Sequence, residues 1–512
     1  MLDRRAFLLS GLAVGSALTR DVFASGRFLQ NPAFPVSPFT LGVCSGDPTP
    51  DGVVLWTRLA IDPLNGGGMP RQALRVEWEV ASDERFERVV RSGRTTASPE
   101  WGHSVHVEVS GLEPHRWYWY RFRAGEQLSP VGRTRTFPRP QSQVDRLRFA
   151  IASCQHYEVG HYTAYRHMAE DDLDFVMHLG DYIYESPGRD NQVRKHVGGE
   201  LMTVDDYRNR YAQYRSDESL RAVHALFPFL VVWDDHEVDN NYAGLHQEAG
   251  APVEQFALRR AAAYKAYYEH MPLRRSSMPK GALLQLYRGF TYGTLAGISM
   301  LDTRQYRTDQ PCGDNVQPVC PDAADPRATM LGASQEKWLM NRLGRSRTSW
   351  NFLAQQVPMA RLDRFAGPER RYSMDKWDGY ERSRARLLRF LGERKPHNPV
   401  TLAGDVHNNW VNDLRLDVDD PASALVATEF VGTSISSTGD GSEMSPLMEA
   451  MVSENECVRF ANNHRGYVRF DLSPKELRAD FRVVEYVSRP GAPIKTRASF
   501  VVEDGRPGAK PA

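Results

Sequence analysis

The chain has 512 residues, with 64 Lys and Arg against 64 Asp and Glu, so its formal net charge is zero. That length holds roughly two to four domains with ample core. The balanced charge excludes proteins that bind nucleic acid or anionic membranes through a strongly basic overall field.

The chain opens Met1-Leu2-Asp3-Arg4-Arg5-Ala6-Phe7-Leu8-Leu9, a pair of arginines followed by an apolar run to about Leu18. This pattern reads as a twin-arginine export signal over residues 1–24, cleaved near Ala24 of Val22-Phe23-Ala24. The apolar run is too short to span a bilayer, so a membrane anchor is disfavoured and no stable insertion is expected. The expected compartment is periplasmic or extracellular, and the expected partner in export is the twin-arginine machinery. That route carries folded proteins, which suits a chain that loads metal before leaving the cell.

Residues 38–140 read as a small all-β sandwich. Leu74-Arg75-Val76-Glu77-Trp78-Glu79-Val80 alternates cleanly, as do Val105, Val107 and Val109. Gly111-Leu112-Glu113-Pro114 then leads into Trp117-Tyr118-Trp119-Tyr120-Arg121-Phe122, which resembles the tyrosine corner of fibronectin-type sandwiches with Tyr118 in the corner. The aromatic run is read as a core strand in preference to a sugar- or partner-binding surface. Phe137-Pro138-Arg139-Pro140-Gln141-Ser142-Gln143 is a proline-rich linker and marks the boundary.

Residues 146–503 alternate strands and helices, the pattern of a layered α/β domain. Arg148 to Ala152 and Phe175 to Leu179 are short apolar runs, as expected of strands buried on both faces. A polar insert, residues 186–216, carries Arg189, Arg194 and Lys195 and reads either as a cover over a site or as solvated surface. Phe229 to Trp233 is a further strand, 259–268 is helical, 294–301 and 351–355 are strands, and 335–343 is a helix. The segment 381–391 reads as an amphipathic helix stopped at Gly392, and 399–403 as a strand. The last hundred residues alternate weakly and read as edge strands, with a disordered tail over 504–512. Five cysteines is an odd number. Cys312 and Cys320 are close enough in a loop to pair, a disulfide left open at this point. Cys44 and Cys457 read as small buried apolar groups.

The chemistry gathers at the ends of the buried strands. Cys154 follows the first, Asp181 and Tyr184 follow the second, Asp235 and His236 the third, and Asp405 and His407 follow the strand at 399–403. Carboxyl ends of neighbouring parallel strands open on one crevice, where open α/β sheets bind ligands. Gly180-Asp181 alone is as well explained by a strand-to-turn step, but the repeated pattern points to a metal site. Phenolate, thiolate and carboxylate together favour a trivalent ion such as Fe(III), and surplus oxygen donors favour Ca²⁺ or Mg²⁺ beside it.

Gly180-Asp181-x-x-Tyr184 resembles the iron-binding motif of the purple-acid-phosphatase-like metallophosphoesterases. The wider set is Ser153-Cys154, Gly180-Asp181-Tyr182-Ile183-Tyr184-Glu185, Trp233-Asp234-Asp235-His236-Glu237, Asn240-Asn241-Tyr242 and Gly404-Asp405-Val406-His407. That set is similar to the PhoD-type, alkaline phosphatase D family. The resemblance covers nearly the whole chain after the export segment. It implies a four-layer α/β sandwich preceded by a fibronectin- or immunoglobulin-like sandwich. It also implies a secreted phosphoesterase that cleaves monoesters and diesters by attack of metal-bound hydroxide. By carry-over, Cys154, Asp181, Tyr184 and Asp405 hold Fe(III). Asp181 bridges to one or two Ca²⁺, with Mg²⁺ or Mn²⁺ as substitutes, and Asp235 and Asn241 are the further ligands there. His236 and His407 take the catalytic roles, contacting the substrate phosphate or moving protons. Read from the residues alone, Asn241 also fits a turn cap and His407 a structural histidine; Arg304 and His464 stay outside the set. Two alternatives remain: a phospholipase D-like or wall-polymer phosphodiesterase, and a non-catalytic cell-surface binding protein whose metals only stabilise it.

Overall fold

A computed structural model describes residue 29 and residues 32–512; the export-signal reading falls outside them. Residues before the linker form eight strands: β1 (Val43–Thr49), β2 (Gly52–Arg58), β3 (Leu74–Ala81), β4 (Val89–Ala97), β5 (Ser104–Val109), β6 (Trp117–Ala124), β7 (Gln127–Leu128) and β8 (Gly132–Arg135). The remainder adds β9 (Leu147–Ala152), β10 (Phe175–His178), β11 (Pro228–Val231), β12 (Arg288–Tyr292), β13 (Ala296–Met300), β14 (Val316–Gln317), β15 (Trp350–Ala354) and β16 (Tyr372–Ser373). It ends with β17 (Pro399–Ala403), β18 (Asn409–Arg415), β19 (Leu425–Val431), β20 (Val458–Asn462), β21 (Arg465–Leu472), β22 (Glu476–Val484), β23 (Ile494–Glu503) and β24 (Arg506–Pro511).

Two large sheets pack face to face. One runs β24-β23-β22-β21-β9-β10-β11-β1-β2-β5 and the other β12-β13-β15-β17-β19-β18-β20. Each has a parallel centre: β9, β10, β11 and β1 in the first, β13, β15, β17 and β19 in the second. Their inner faces meet through aromatic side chains. Phe149 of β9 stacks on Phe470 of β21 (4.8 Å between centroids) and meets Phe352 of β15 edge-on at 5.3 Å. Helices cover the outer faces: Thr163–Met168 and Glu218–Leu226 lie over the first sheet, Gly332–Gly344 and Glu381–Arg394 over the second. The result is an α/β sandwich of helix, sheet, sheet and helix, the four layers that the family resemblance implies.

The N-terminal sandwich is present, but it is not a separate body. Its core joins Val43, Val53, Leu55 and Val107 to Val76, Val80, Tyr118 and Phe122 from the β4-β3-β6 sheet. The first of its two sheets, β1-β2-β5, continues the large sheet because β1 pairs parallel to β11, Ser45 opposite Pro228. Phe137 in the linker is buried against Phe175 and Tyr292. The tyrosine corner forms as expected: the Glu113 N–H donates to the Tyr118 hydroxyl at 2.9 Å.

Four expectations are corrected. The tail does not end in disorder: β24 pairs with β23, Phe500 opposite Pro511, and Ala509 is buried. The C-terminal strands are not all edges: β21 sits against β9 in the middle of the first sheet, with β22 and β23 also inside it, while β24 ends that sheet and β20 ends the second. The 381–394 helix runs through Gly392 and ends at Lys395 in the left-handed region. A Cβ at Gly392 would meet Leu416 at 3.0 Å, so this glycine permits close packing and does not stop the helix. Finally, the 186–216 insert contains the helix Val204–Arg215, started by a capping box between Thr203 and Asp206.

Candidate metal centre

Strand ends from both sheets open on one crevice. Cys154 follows β9, Asp181 follows β10, Asp234 to Glu237 follow β11, Asp302 to Arg304 follow β13, and Asp405 and His407 follow β17. Among the expected site residues, Cys154, Asp181, Asn241, Asp405 and His407 all have positive φ, between 50° and 65°. Non-glycine residues adopt that region at a cost and persist there where the surroundings over-determine them, typically at functional sites. Two glycines make the turns possible. A Cβ at Gly180 (φ 110°) would lie 2.4 Å from the Asp234 Cβ, and one at Gly404 would lie 2.4 Å from the Ser153 hydroxyl oxygen.

Three overlapping groups of potential ligands form among the described residues: Cys154 with Asp181 and His407; Asp181 with Asp235 and His236; and Asp234 with Asp235 and Asp405. Within each, the ligand atoms lie within 4.8 Å of one another. Asp181 is shared by the first two groups and Asp235 by the last two. The Tyr184 hydroxyl donates to Asp181 Oδ2 (2.9 Å), shares a hydrogen bond with Ser437 Oγ (2.7 Å) and lies 3.3 Å from His407 Nε2. Its ring is flanked by the imidazoles of His156 and His236, at 4.2 and 4.1 Å between centroids. Asp405 falls in the carboxylate group with Asp234 and Asp235, whereas the carry-over put it with the thiol. Asn241 enters through its backbone, whose N–H donates to Asp235 Oδ2 at 2.7 Å. His464 lies outside the three groups and faces Asn462.

The electrostatics are dominated by buried carboxylates. Burial pushes Asp181 well above the usual carboxylate range; His236 offsets this in part, while Asp235, Glu237 and Asp405 add to it. Burial does the same to Asp234, against the pull of Arg304. Burial also raises Glu237, to about 8, although its carboxylate accepts the N–H groups of Asp181 (3.1 Å), Tyr182 (2.6 Å) and Asp234 (2.8 Å). Glu237 thereby ties the turn after β10 to the turn after β11. Asp235 moves the other way: burial would raise it, but Arg304 and His236 hold it below the usual range. Asp181 Oδ1 and Asp234 Oδ2 are buried without a hydrogen-bond partner. Buried anionic oxygens left in that state are costly unless a cation or donor faces them.

The two histidines are driven apart. Burial opposes a charge on His236, yet Glu185, Asp235 and Asp181 outweigh it and hold its pKa well above the usual imidazole value. Its Nδ1 lies 2.7 Å from Glu185 Oε2, which leaves Nε2 as the free nitrogen. His407 is pushed down to about 3, by burial first and then by Arg465 and His236, so it is a neutral imidazole. Its Nδ1 is 2.7 Å from Thr438 Oγ1.

Several residues outside the expected set complete the crevice, Arg304 having been left out of it and Asp375 and Lys376 not singled out. Arg304, fully buried, reaches four carboxylates: Nε binds Asp234 Oδ1, Nη1 binds Asp375 Oδ1 (2.8 Å), and Nη2 lies 3.3 Å from Asp405 Oδ1 and 3.5 Å from Asp235 Oδ1. Lys376 spans Asp375 and Asp405. A signal for Arg304 existed, since Asp302-Thr303-Arg304 stands at a strand end like the other motifs. Asp375 and Lys376 had none, because they lie in an irregular stretch. The basic insert is partly tied down: Arg194 pairs with Asp217 at 2.7 Å, while Arg189 stays half-exposed over the buried Glu158.

Cys312 and Cys320 form a disulfide with 5.8 Å between their Cα atoms. Cys44 and Cys154 are buried free thiols and Cys457 is part-buried. No helix among the described residues is long and apolar enough to cross a membrane.

Residues 149–481 match the family model described as PhoD-like phosphatase, and residues 26–138 match that of the PhoD-like phosphatase N-terminal domain. The chain is 51% identical over 520 residues to alkaline phosphatase D of Bacillus subtilis (strain 168), covering 99% of this chain and 89% of that protein. It is also similar to the solved "Structure of PhoD", at 52% identity and a TM-score of 0.92, over 94% of this chain and 93% of that one.

Proposed function

We propose a residue-level account of catalysis for this chain, which belongs to the PhoD-like phosphatase family and is a phosphoric ester hydrolase. Cys154, Asp181 and Tyr184, with Asp405 beside them, hold Fe(III); Asp235 and Asn241, with Asp181 shared, hold one or two Ca²⁺. The observation that carries this reading is the pair of buried, unpartnered carboxylate oxygens, Asp181 Oδ1 and Asp234 Oδ2, at the meeting point of the three ligand groups. A thiol, a phenol and several carboxylates are the donor set of a hard, highly charged ion with oxygen-loving ions beside it. Such ions, when bound, supply Lewis acidity at the phosphate oxygens and lower the pKa of a coordinated water.

The chain's own side chains do the rest. His236, oriented by Glu185, holds a proton on the free nitrogen that faces the ester, and delivers it to the leaving oxygen. His407 stays neutral beside Tyr184 and accepts hydrogen bonds. Two groups whose surroundings drive their pKa values apart divide acid and base roles in this way. Arg304 keeps Asp234, Asp235 and Asp405 from repelling one another before the cations arrive. The substrates are phosphate monoesters and diesters. Export through the twin-arginine pathway to the periplasm or beyond is supported by Arg4-Arg5 and by the Cys312–Cys320 disulfide, which fits an oxidising compartment.

Two experiments test the assignment. A strong chelator should abolish hydrolysis of a panel of monoester, diester and phospholipid substrates, with Ca²⁺ restoring it better than Zn²⁺. The oxygen-rich set of Asp181, Asp235 and Asn241 lacks the imidazole and thiolate pairs that Zn²⁺ favours, so reactivation by Zn²⁺ alone refutes the calcium half. The iron half is optical. Burial, with Asp181 and Cys154 adding to it, holds the Tyr184 phenol well above its usual pKa, so only a trivalent cation makes it a phenolate at neutral pH. At equal iron content, Tyr184→Phe should lose or shift a visible charge-transfer band, while Cys154→Ser keeps a phenolate component. A full spectrum in the phenylalanine variant removes Tyr184 from the iron site.

A further inference from the structure

The disulfide closes a loop whose strand pairs with a segment leading into the crevice. Inside the loop it closes, β14 pairs antiparallel with β16, Val316 opposite Ser373 and Gln317 opposite Tyr372, and the Met374 N–H donates to the Asn315 carbonyl at 3.1 Å. One residue after β16 come Asp375 and Lys376. Asp375, 3% exposed, receives Arg304 Nη1 (2.8 Å), Gln310 Nε2 (3.0 Å) and the Arg307 guanidinium. Lys376 Nζ lies 2.8 Å from Asp375 Oδ2 and 2.5 Å from Asp405 Oδ2. Gln310, just before the disulfide loop, also donates to the backbone carbonyl of Asn241. The residues flanking the ribbon, Gln310 before the loop and Asp375 and Lys376 after β16, therefore touch both sides of the candidate metal centre.

A ribbon of two residue pairs is too small to hold its register by pairing alone. A disulfide that closes the loop carrying one of its strands removes much of that strand's freedom. We propose that the Cys312–Cys320 disulfide sets the β14–β16 ribbon so that Lys376 is a positioning residue for Asp405. Lys376 touches neither substrate nor reacting atoms in this account; it acts through the carboxylate. The inference rests on the proposed place of Asp405 in the crevice. Asp405→Asn with full activity and full metal content would remove that premise, separately from the outcomes below.

The test is a mutant cycle on the full, metal-loaded protein. Cys312→Ser/Cys320→Ser and Lys376→Met should each lower kcat/KM about 10-fold, the scale of losing a group that orients a ligand. Combined, they should cost no more than Lys376→Met alone, and Lys376→Arg should restore part of the loss. Independently of activity, amides at 372–376 should exchange hydrogen faster in the serine pair. If that pair does not fold, Gln317→Pro loosens the ribbon with the disulfide intact and takes its place in the cycle. Additive losses, unchanged kcat/KM in the loosened variant, or unchanged exchange at 372–376 overturn the proposal.

Discussion

Asp181→Ala is expected to cost on the order of 10³-fold in turnover, while the protein stays folded. Asp181 belongs to two of the three ligand groups, so under the proposed assignment its loss weakens the hold on both cations at once. Metal ions supply several kcal/mol of transition-state stabilisation, and at about 1.4 kcal/mol per tenfold that gives the stated loss. The stability effect depends on the metal. Without cations, the Asp181 carboxylate is buried beside Asp235, Glu237 and Asp405 and has an oxygen with no partner. Removing it from chelated protein should leave the melting temperature unchanged or raised, because a like-charge contact disappears. In metal-loaded protein the same change should lower it, because bound ligand stabilises the native state by mass action. Calorimetry with and without chelator, beside elemental analysis and kinetics, reads all of these. A fully metallated, active variant would sink the bridging role.

The strand ends were legible because each combines a short apolar run with a polar or acidic terminus: Ile151-Ala152 before Cys154, Val176-Met177 before Asp181, Val231-Val232 before Asp235, Leu402-Ala403 before Asp405. Strands buried on both faces have few other sequences open to them, so the pattern is strong. Contacts between distant segments were not legible. Nothing local in β1 announces that it pairs with β11, some 180 residues later, since the pairing depends on which sheet edge is left open. The tail Arg506-Pro507-Gly508-Ala509-Lys510-Pro511 has the composition of a loop, yet β23 offers it an edge. Arg304 illustrates the same limit at the site. Its partners Asp234, Asp235, Asp375 and Asp405 lie about 70 to 100 residues away in sequence, and only the fold assembles them. The positive φ values at Cys154, Asp181, Asp405 and His407 were likewise beyond a residue-type reading, because none of these positions is the glycine that usually marks such a turn.

Arg304→Met should destabilise the protein by about 3–5 kcal/mol, the usual cost of removing one partner from a buried ion network. The side chain is fully buried, and its guanidinium is the shared counter-charge of Asp234, Asp235, Asp375 and Asp405. Methionine fills similar volume, so the loss is electrostatic more than a cavity effect. Arg304→Lys should recover little, because an ammonium is a point charge and cannot reach carboxylates on several sides as a planar guanidinium does. Urea unfolding of chelated protein isolates this term. Bound cations in the loaded enzyme take over part of the neutralisation, so the gap between wild type and variant should narrow there. The metal-free variant should also show raised carboxyl pKa values, since Asp235 is held below the usual range first of all by Arg304 against burial. Its stability should therefore recover as pH falls toward the ordinary carboxylate range and Asp235 protonates, whereas in the wild type the Asp235 contribution is constant there and is lost only below that range. A chelated variant within about 0.5 kcal/mol of wild type, a margin ordinary for a surface change, would mean that Lys376, Arg307 and His236 suffice, and that Arg304 serves the substrate and not the scaffold.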